Sequence, residues 1–348
     1  MSSNRVSRMG YKKVVIKEFG GPDVLEVIEE PTLPEPEFGE VRIKVLVTSA
    51  AFTDTMIRKG QYPDVKEKPP FSPGYDLVGR VDKLGEGATR FTIGQKVADL
   101  TVIGAYAEYI CLPESRLTLV PDELDPVEAV SLILSYVTAY QMLHRYAKVH
   151  SRQRILIHGA AGAVGTAILQ LGRLLDLTMY GTASKSKHAL IAALGAVPID
   201  YRNEDFVERV KTHTNDGVDA AFDPIGGENF KRSVKTLKPG GRLVAYGFYN
   251  AGTGKGGSIL FDFLRLQLMK IIPNGRSVSF YSIGSLRKKH PDWFSEDLTK
   301  LFFLLSQNEI KPVVGKRMSL DDAAMAHQLL EEAAVPGKIV LVVSEDNS

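Results

Sequence analysis

The spacing of apolar residues divides the chain into two textures. From residue 11 to about residue 114, apolar and polar positions alternate over short runs: YKKVVIKEF, then VLEVIEE after a turn at Gly20-Gly21-Pro22-Asp23. Pro31, Pro34 and Pro36 mark a loop, and VRIKVLVTSA follows as a strongly apolar strand. Alternation broken by Gly and Pro predicts a β-rich module of short, irregular strands. Near Asp125 the texture changes, and as far as about Val278 apolar runs alternate with helical segments. RILIHG reads as a buried strand, AVGTAILQLGRLLD as a helix and TMYGTA as a second strand. KHALIAALG, VPID, EDFVERVKTHT, VDAAFD and GRLVAYGF continue as helix, strand, helix, strand and strand. This alternation predicts a parallel sheet covered on both faces by helices, because a crossover helix brings each strand back in the same direction. The C-terminal stretch reads as the helix PDWFSEDLTKLFFLLSQ, a proline turn, the helix LDDAAMAHQLLEEA and the strand GKIVLVV. That strand has no parallel partner nearby in sequence and is assigned to the β-rich module.

Composition narrows the class without naming it. A length of 348 residues suggests two domains, with enough chain to bury a core without staples. Lys and Arg number 43 against 41 Asp and Glu, and no long run of one sign occurs, so nothing here marks a nucleic-acid partner. The single cysteine, Cys111, excludes an internal disulfide and a cysteine-rich zinc site. The first ten residues lack an apolar signal core, and no stretch of about 18 apolar residues occurs. A cytoplasmic protein without stable membrane association is the expectation.

The chemistry enters at RILIHGAAGAVGTAILQ, where strand, glycine turn and helix follow one another. The turn Ala160-Ala161-Gly162-Ala163-Val164-Gly165 is a variant of G-x-G-x-x-G with alanine first. Gly162 lets the backbone approach a pyrophosphate, Gly165 lets the helix pack on the sheet, and the helix N-terminus offers unpaired N–H groups to an anion. The same turn would also serve merely to pack a helix on a strand. At the end of the next strand, a site for NAD usually places an acid that holds the ribose hydroxyls. Here Gly181-Thr182-Ala183-Ser184-Lys185-Ser186-Lys187-His188 contains none. Its hydroxyls and lysines suit a 2′-phosphate and favour NADPH, although lysines at a helix start are also common on any surface.

These residues resemble the medium-chain dehydrogenase/reductase superfamily and, within it, the zinc-free quinone-oxidoreductase branch. The resemblance runs over nearly the whole chain. It rests on Gly39-Glu40-Val41, Gly74-Tyr75-Asp76-Leu77-Val78-Gly79, the glycine turn, Asp200-Tyr201-Arg202 and Gly337-Lys338-Ile339-Val340-Leu341. It implies an α/β fold: a Rossmann doubly wound parallel sheet over residues 131–283, and a β-rich GroES-like domain formed by residues 1–130 and 284–348. By position it implies that Gly162, Ala163 and Val164 cradle the pyrophosphate. Thr182, Ser184 and Lys187 would meet the 2′-phosphate, and Tyr201 the adenosine side. Thr138, Phe248, Phe280 and Ser282 would lie toward the nicotinamide. A homodimer is the family expectation.

Departures from the zinc alcohol dehydrogenases shape the expected reaction. Those enzymes resemble one another in a C-H-T-D motif and a G-H-E motif that supply metal ligands. This chain has Ala51-Phe52-Thr53-Asp54 and Gly74-Tyr75-Asp76 instead, and the four-cysteine zinc loop is absent. Without N or S donors at those places no catalytic zinc is expected, and Asp54 and Asp76 read as structural acceptors. Alcohol oxidation then lacks its Lewis acid, whereas a quinone or enone accepts hydride with less help. Tyr62 matches a family tyrosine near the substrate; it reads as a substrate contact, a proton donor or a loop-packing ring. Tyr75 is expected to fill the old metal space. His158 reads as a satisfied core histidine and Cys111 as a packed thiol. SILFDFLRLQLMKIIPNG is the most apolar surface candidate, read as a cleft helix, a dimer contact or a lid over an apolar substrate. Together these features imply an NADPH-dependent, zinc-independent reductase of quinones or α,β-unsaturated carbonyls. The alternatives are a 2-alkenal or enoyl reductase, and a protein that holds NADPH without turnover.

Overall fold

A computed structural model describes residues 10–254, 257–271 and 275–344. The first nine residues, whose lack of a signal core was noted above, and residues 272–274 of the apolar segment lie outside them. Two compact units emerge, one running to Leu134 and resuming at Val314, the other from Ser135 to Val313.

The first unit opens with the hairpin of β1 (Tyr11–Ile16) and β2 (Leu25–Glu30). Its main sheet follows: β3 (Glu40–Ala50), β4 (Leu77–Leu84), β5 (Lys96–Asp99), β6 (Tyr109–Pro113) and β7 (Thr118–Leu119). The central strand β3 pairs antiparallel with both β4 and β6. Val41, Ile43 and Val45 alternate inward along it and pack with Leu77, Val81, Val97 and Leu112. The period-two pattern thus places one face of β3 in the core, as alternation requires.

The second unit holds six parallel strands: β8 (Arg154–His158), β9 (Thr178–Ala183), β10 (Ala196–Asp200), β11 (Val218–Asp223), β12 (Leu237–Ala245) and β13 (Ser277–Phe280). Their order across the sheet is β10-β9-β8-β11-β12-β13. That is the Rossmann order, with the strand sequence reversing between β8 and β11, where such sheets bind ligands. Each strand expected in this region is present, and β11, buried at every position, shows why its apolar run does not alternate.

The chain then returns to the first unit through β14 (Val314–Ser319) and β15 (Lys338–Val342). β15 pairs antiparallel with β3, so its assignment to the β-rich module holds. It also has a parallel partner, β14, in a stretch that the sequence suggested was only a proline turn. Lys316, Arg317 and Ser319 hide this edge strand from hydropathy; the backbone of β15 creates it. The unit boundary also differs from residue 283. The helices Ile283–Lys289 and Pro291–Ser306 stay with the parallel-sheet unit, because Asp297 accepts hydrogen bonds from Gln141 and Arg145 in that unit. Likewise the first unit extends to Leu134 rather than to residue 130.

Candidate functional site

At the C-terminal end of β8 the chain turns sharply through Gly159, whose φ of +64° is a left-handed conformation that favours glycine. The motif Ala160–Gly165 leaves out this residue, which makes the turn. The helix Ala163–Leu174 starts after Gly162, and no side chain caps it. Thr166 N–H gives the first bond back to Gly162 O at 2.8 Å. The amides of Ala163, Val164 and Gly165 therefore precede the helical ladder, with the positive end of the helix dipole behind them. A Cβ on Gly165 would stand 2.4 Å from Gly159 O, so only glycine permits this approach of helix to loop. An uncapped N-terminus behind a glycine turn fits a dinucleotide pyrophosphate.

Next to it, the end of β9 carries the residues expected at a 2′-phosphate. Thr182 differs from that expectation in one respect. Its hydroxyl lies 3.1 Å from His158 Nδ1 in the buried interior, so it serves the strand pair rather than an anion, while its carbonyl accepts from Ala160 N–H. Ser184 Oγ lies 3.3 Å from Ser186 Oγ and is partly exposed. Burial, and then the nearby charge of Arg202, hold the Lys187 ammonium below its ordinary pKa. Arg202 leans over the ring of Tyr201 at 5.8 Å, and that ring is 54% exposed. Two cations that repel each other beside an accessible aromatic ring suit a phosphorylated nucleoside, whose dianion would relieve the repulsion. Arg202 was legible in the motif, but its role was not, because Lys187 lies 15 positions before it.

Beneath the loop, the sequence expectation for His158 agrees with the structure. Its Nε2 lies 3.0 Å from Ser233 Oγ, and Ser233 donates its hydroxyl proton to Asp223 Oδ2 at 2.6 Å. Ser233 therefore accepts from Nε2–H, leaving Nδ1 to accept from Thr182. Burial, the largest influence, pushes the imidazole's pKa down. Asn229 Nδ2 and the Ile225 amide complete the Asp223 carboxylate at 2.8 and 2.7 Å. The arrangement is a structural tie under the switch point.

The remaining positions in this unit are distributed as follows. Thr138 is buried in the helix Val137–Gln141. Gln141 of that helix accepts from Tyr281 OH at 2.8 Å, which draws the Phe280–Ser282 segment to it. Ser282 caps the helix Ile283–Lys289, accepting from Ser285 N–H, so its hydroxyl is engaged. Phe248 packs inward, stacked on Phe280 at 5.2 Å and edge-on to Phe230. Its side chain builds core rather than lining a surface.

In the first unit, Tyr62 lies in the loop after the helix Phe52–Arg58, and its hydroxyl is 2.6 Å from that of Tyr75. The rings meet edge to face. Burial raises the Tyr62 phenol to about 12, and it pushes Tyr75, fully buried, well above its usual value. Asp54 and Asp76 are also fully buried. Asp54 Oδ2 accepts from Ala51 N–H at 2.9 Å, and Asp76 Oδ1 accepts from Ser49. Asp54 Oδ1, Asp76 Oδ2 and Thr53 Oγ1 have no hydrogen-bond partner, although Lys338 Nζ stands 3.6 Å from Asp76 Oδ2. Among the described residues no group of three His, Cys, Asp or Glu side chains could hold a metal ion. Cys111 is half-buried, and burial raises its thiol to about 11, so it stays protonated.

Comparison with known proteins adds the family. The alcohol dehydrogenase GroES-like domain matches residues 37–122, and the zinc-binding dehydrogenase family matches residues 194–341. The rat synaptic vesicle membrane protein VAT-1 homolog is 32% identical over 341 residues, covering 94% of this chain and 83% of that protein. The chain belongs to the medium-chain dehydrogenase/reductase superfamily. Within the superfamily its relatives are quinone-oxidoreductase-like. Rat quinone oxidoreductase is 29% identical over 339 residues, covering 95% of this chain and 98% of that protein. The crystal structure of Escherichia coli quinone oxidoreductase complexed with NADPH superposes with a TM-score of 0.84 at 27% identity, covering 95% and 99% of the two chains. The fold is thus a Rossmann-like parallel sheet with a GroES-like β domain. No helix among the described residues is long and apolar enough to cross a membrane.

Proposed function

We propose that this superfamily member is an NADPH-dependent, zinc-independent reductase of quinones or α,β-unsaturated carbonyls. The observation that carries this reading is the pairing of Lys187 with Arg202 beside an uncapped glycine-turn helix. Together they would bind an anion at both the pyrophosphate and the 2′-phosphate. Ser184, Lys187 and Arg202 hold the 2′-phosphate, Tyr201 lies along the adenosine, and Gly162, Ala163 and Val164 cradle the pyrophosphate. Thr182 contributes through the strand it ties to His158, and Phe248 through packing. Thr138, Phe280 and Ser282 lie toward the nicotinamide half, where the bound cofactor supplies a hydride. Tyr62 contacts the acceptor and orients its carbonyl through the phenol.

Zinc independence rests on the side chains at Ala51, Phe52 and Tyr75, which offer no zinc donors beyond a phenol. The protein is read as a cytoplasmic homodimer. The helix Ile259–Ile271, expected to be a cleft helix, dimer contact or lid, exposes Leu260, Phe261, Leu264, Leu268 and Ile271 while burying Leu266. This apolar stripe favours the dimer contact within that expectation.

The test is the initial rate of NADPH oxidation by chelator-treated protein with ortho-quinones, para-quinones, enones and 2-alkenals, with NADH in parallel. Turnover with NADPH that ignores the chelator is expected. Preference for NADH would remove the role given to Lys187. NADPH binding without turnover of any acceptor would leave a protein that only holds the cofactor.

A further inference from the structure

Resting on the reductase reading, we infer that Tyr75 is a positioning residue for Tyr62: its hydroxyl donates to the Tyr62 oxygen, which leaves the Tyr62 O–H to bind the carbonyl oxygen of the acceptor. The two hydroxyl oxygens lie 2.6 Å apart, and the rings meet edge to face at 5.8 Å. One proton lies between them, and burial decides whose it is. Tyr75 has no exposed surface, whereas Tyr62 is partly exposed. A fully buried O–H must spend its proton on an internal acceptor, and the Tyr62 oxygen is within reach; a partly exposed O–H can be satisfied from outside. Donation by Tyr75 therefore satisfies both hydroxyls, while donation by Tyr62 would strand the Tyr75 proton in the interior.

Tyr75 is the fixed member of the pair. Gly74, just before it, has a φ of +112°, and a Cβ there would stand 2.6 Å from the Tyr106 amide nitrogen, so only glycine lets the chain lie this close to its neighbour. The Gly74 carbonyl accepts from Thr101 Oγ1 at 2.7 Å, and the Tyr75 carbonyl accepts from Val102 N–H at 3.2 Å. On the other side, Asp76 Oδ1 accepts from the Ser49 amide of β3. Tyr62 stands instead in irregular chain between the helix Phe52–Arg58 and β4. A ring anchored on both sides thus sets the direction of a phenol whose own segment does not. Burial, the largest influence, raises both phenols, and the bond from Tyr75 pulls Tyr62 part of the way back. Both stay protonated at neutral pH and able to donate.

The consequence is a choice among acceptors. Hydride addition, with its two electrons supplied by the reduced nicotinamide, leaves an oxyanion where the acceptor had a carbonyl oxygen. Tyr62 donates to that oxygen while Tyr75 donates to Tyr62, and two donors in series strengthen the outer bond as charge develops. Both O–H bonds stay intact, the anion takes its proton from water, and no protein group changes oxidation state. An enolate is a stronger base than a hydroquinone anion, whose charge spreads into an aromatic ring. The pair therefore serves α,β-unsaturated carbonyls more than quinones. Tyr62 alone touches the acceptor and is catalytic; Tyr75 acts through it.

A double-mutant cycle tests the coupling, with NADPH and an enone as substrates and a para-quinone in parallel. Tyr62→Phe is expected to lower kcat for the enone about a hundredfold. Tyr75→Phe keeps the ring and is expected to lower it about tenfold, with the KM for NADPH unchanged. Both losses should be smaller with the quinone. In the Tyr62→Phe background, Tyr75→Phe is expected to cost nothing further, because the hydroxyl it removes acts through Tyr62. A Tyr75 that only builds structure would cost the same factor in both backgrounds and with both acceptors, and that result overturns the inference, as does wild-type kcat for the enone in Tyr75→Phe. Tyr62→Phe, at a partly exposed ring, guards against a misfolded Tyr75 variant, since wild-type kcat for the enone there overturns the inference by itself. A wild type that binds NADPH but oxidises it with no acceptor overturns the reductase reading, and the inference with it.

Discussion

Two buried polar clusters, one in each unit, differ in how far their hydrogen bonds are completed. In the parallel-sheet unit, His158, Thr182, Ser233, Asp223 and Asn229 form a closed set, in which both imidazole nitrogens and both carboxylate oxygens have partners. In the β-rich unit, Asp54 Oδ1, Asp76 Oδ2 and Thr53 Oγ1 are buried without hydrogen bonds. Leaving a buried polar atom unpaired costs about 1–3 kcal/mol, so a fold keeps few of them without a use. The closed set reads as architecture: it ties β8, β9 and the helix Glu228–Lys235 beneath the glycine turn. The open set belongs to the same unit as the Tyr62–Tyr75 pair. The contrast teaches that burial alone does not say what an ionisable residue does: His158 and Asp223 are completed by their neighbours, whereas Asp54 and Asp76 each keep an oxygen without a hydrogen bond.

The comparison breaks most visibly at Asp223. Asp223→Ala strips partners from Ser233, Asn229 and the Ile225 amide at once, and a loss of about 3 kcal/mol is expected by urea unfolding of the cofactor-free protein. A loss below about 1 kcal/mol would show that the closed set is not a structural tie. Lys187 sharpens the comparison within the same unit, because its charge is held in an unfavourable place by burial and by Arg202. Lys187→Ala should weaken NADPH binding about tenfold and leave NADH binding nearly unchanged, as read by fluorescence titration. Equal weakening of both would remove the 2′-phosphate assignment.

The pH dependence of stability separates a satisfied from an unsatisfied group inside the β-rich unit. His327 is bonded to Arg58 and Tyr106, and burial lowers it from 6.5 to about 3. The unfolded chain takes up a proton that folded His327 refuses, so stability falls as pH drops from about 6.5 toward 3. Asp54 has the opposite sign. Raised from 3.8 to about 8, it holds a proton that the unfolded chain has lost, so its contribution falls as pH rises across that interval. Thermal melts against pH should show His327→Gln without the acid slope and Asp54→Asn without the alkaline one. The smallest effect is expected at Thr53, whose unpaired hydroxyl makes Thr53→Val neutral or stabilising by up to about 1 kcal/mol in urea. A marked destabilisation would mean that the hydroxyl has a partner after all.

Much of the fold was legible because its signals are local. The strands of the parallel sheet announce themselves as short apolar runs, and the glycine turn needs only the residues on either side of it. Phe248 and Ser282 were expected toward the nicotinamide from their places in the chain, which say nothing of what each side chain packs on or bonds to. One is stacked on Phe280, and the other is spent on a helix cap. Position along the chain puts a residue at a strand end, but the direction of its side chain depends on what packs above it. For the same reason the Thr182 hydroxyl faces His158 rather than a phosphate.

By itself, then, the sequence determined the alternation of strands and helices, the glycine turn, the lack of an acid after β9 and the lack of zinc donors. All of these follow from residue type and short-range spacing. Tertiary structure alone decided that Val314–Ser319 is a strand, that the helices after residue 283 belong to the parallel-sheet unit, and that Tyr62 meets Tyr75. It also decided which buried polar atoms found partners. Satisfaction of a hydrogen bond and the shift of a pKa depend on groups brought together from distant parts of the chain, as Lys338 is to Asp76, and no local pattern encodes that meeting.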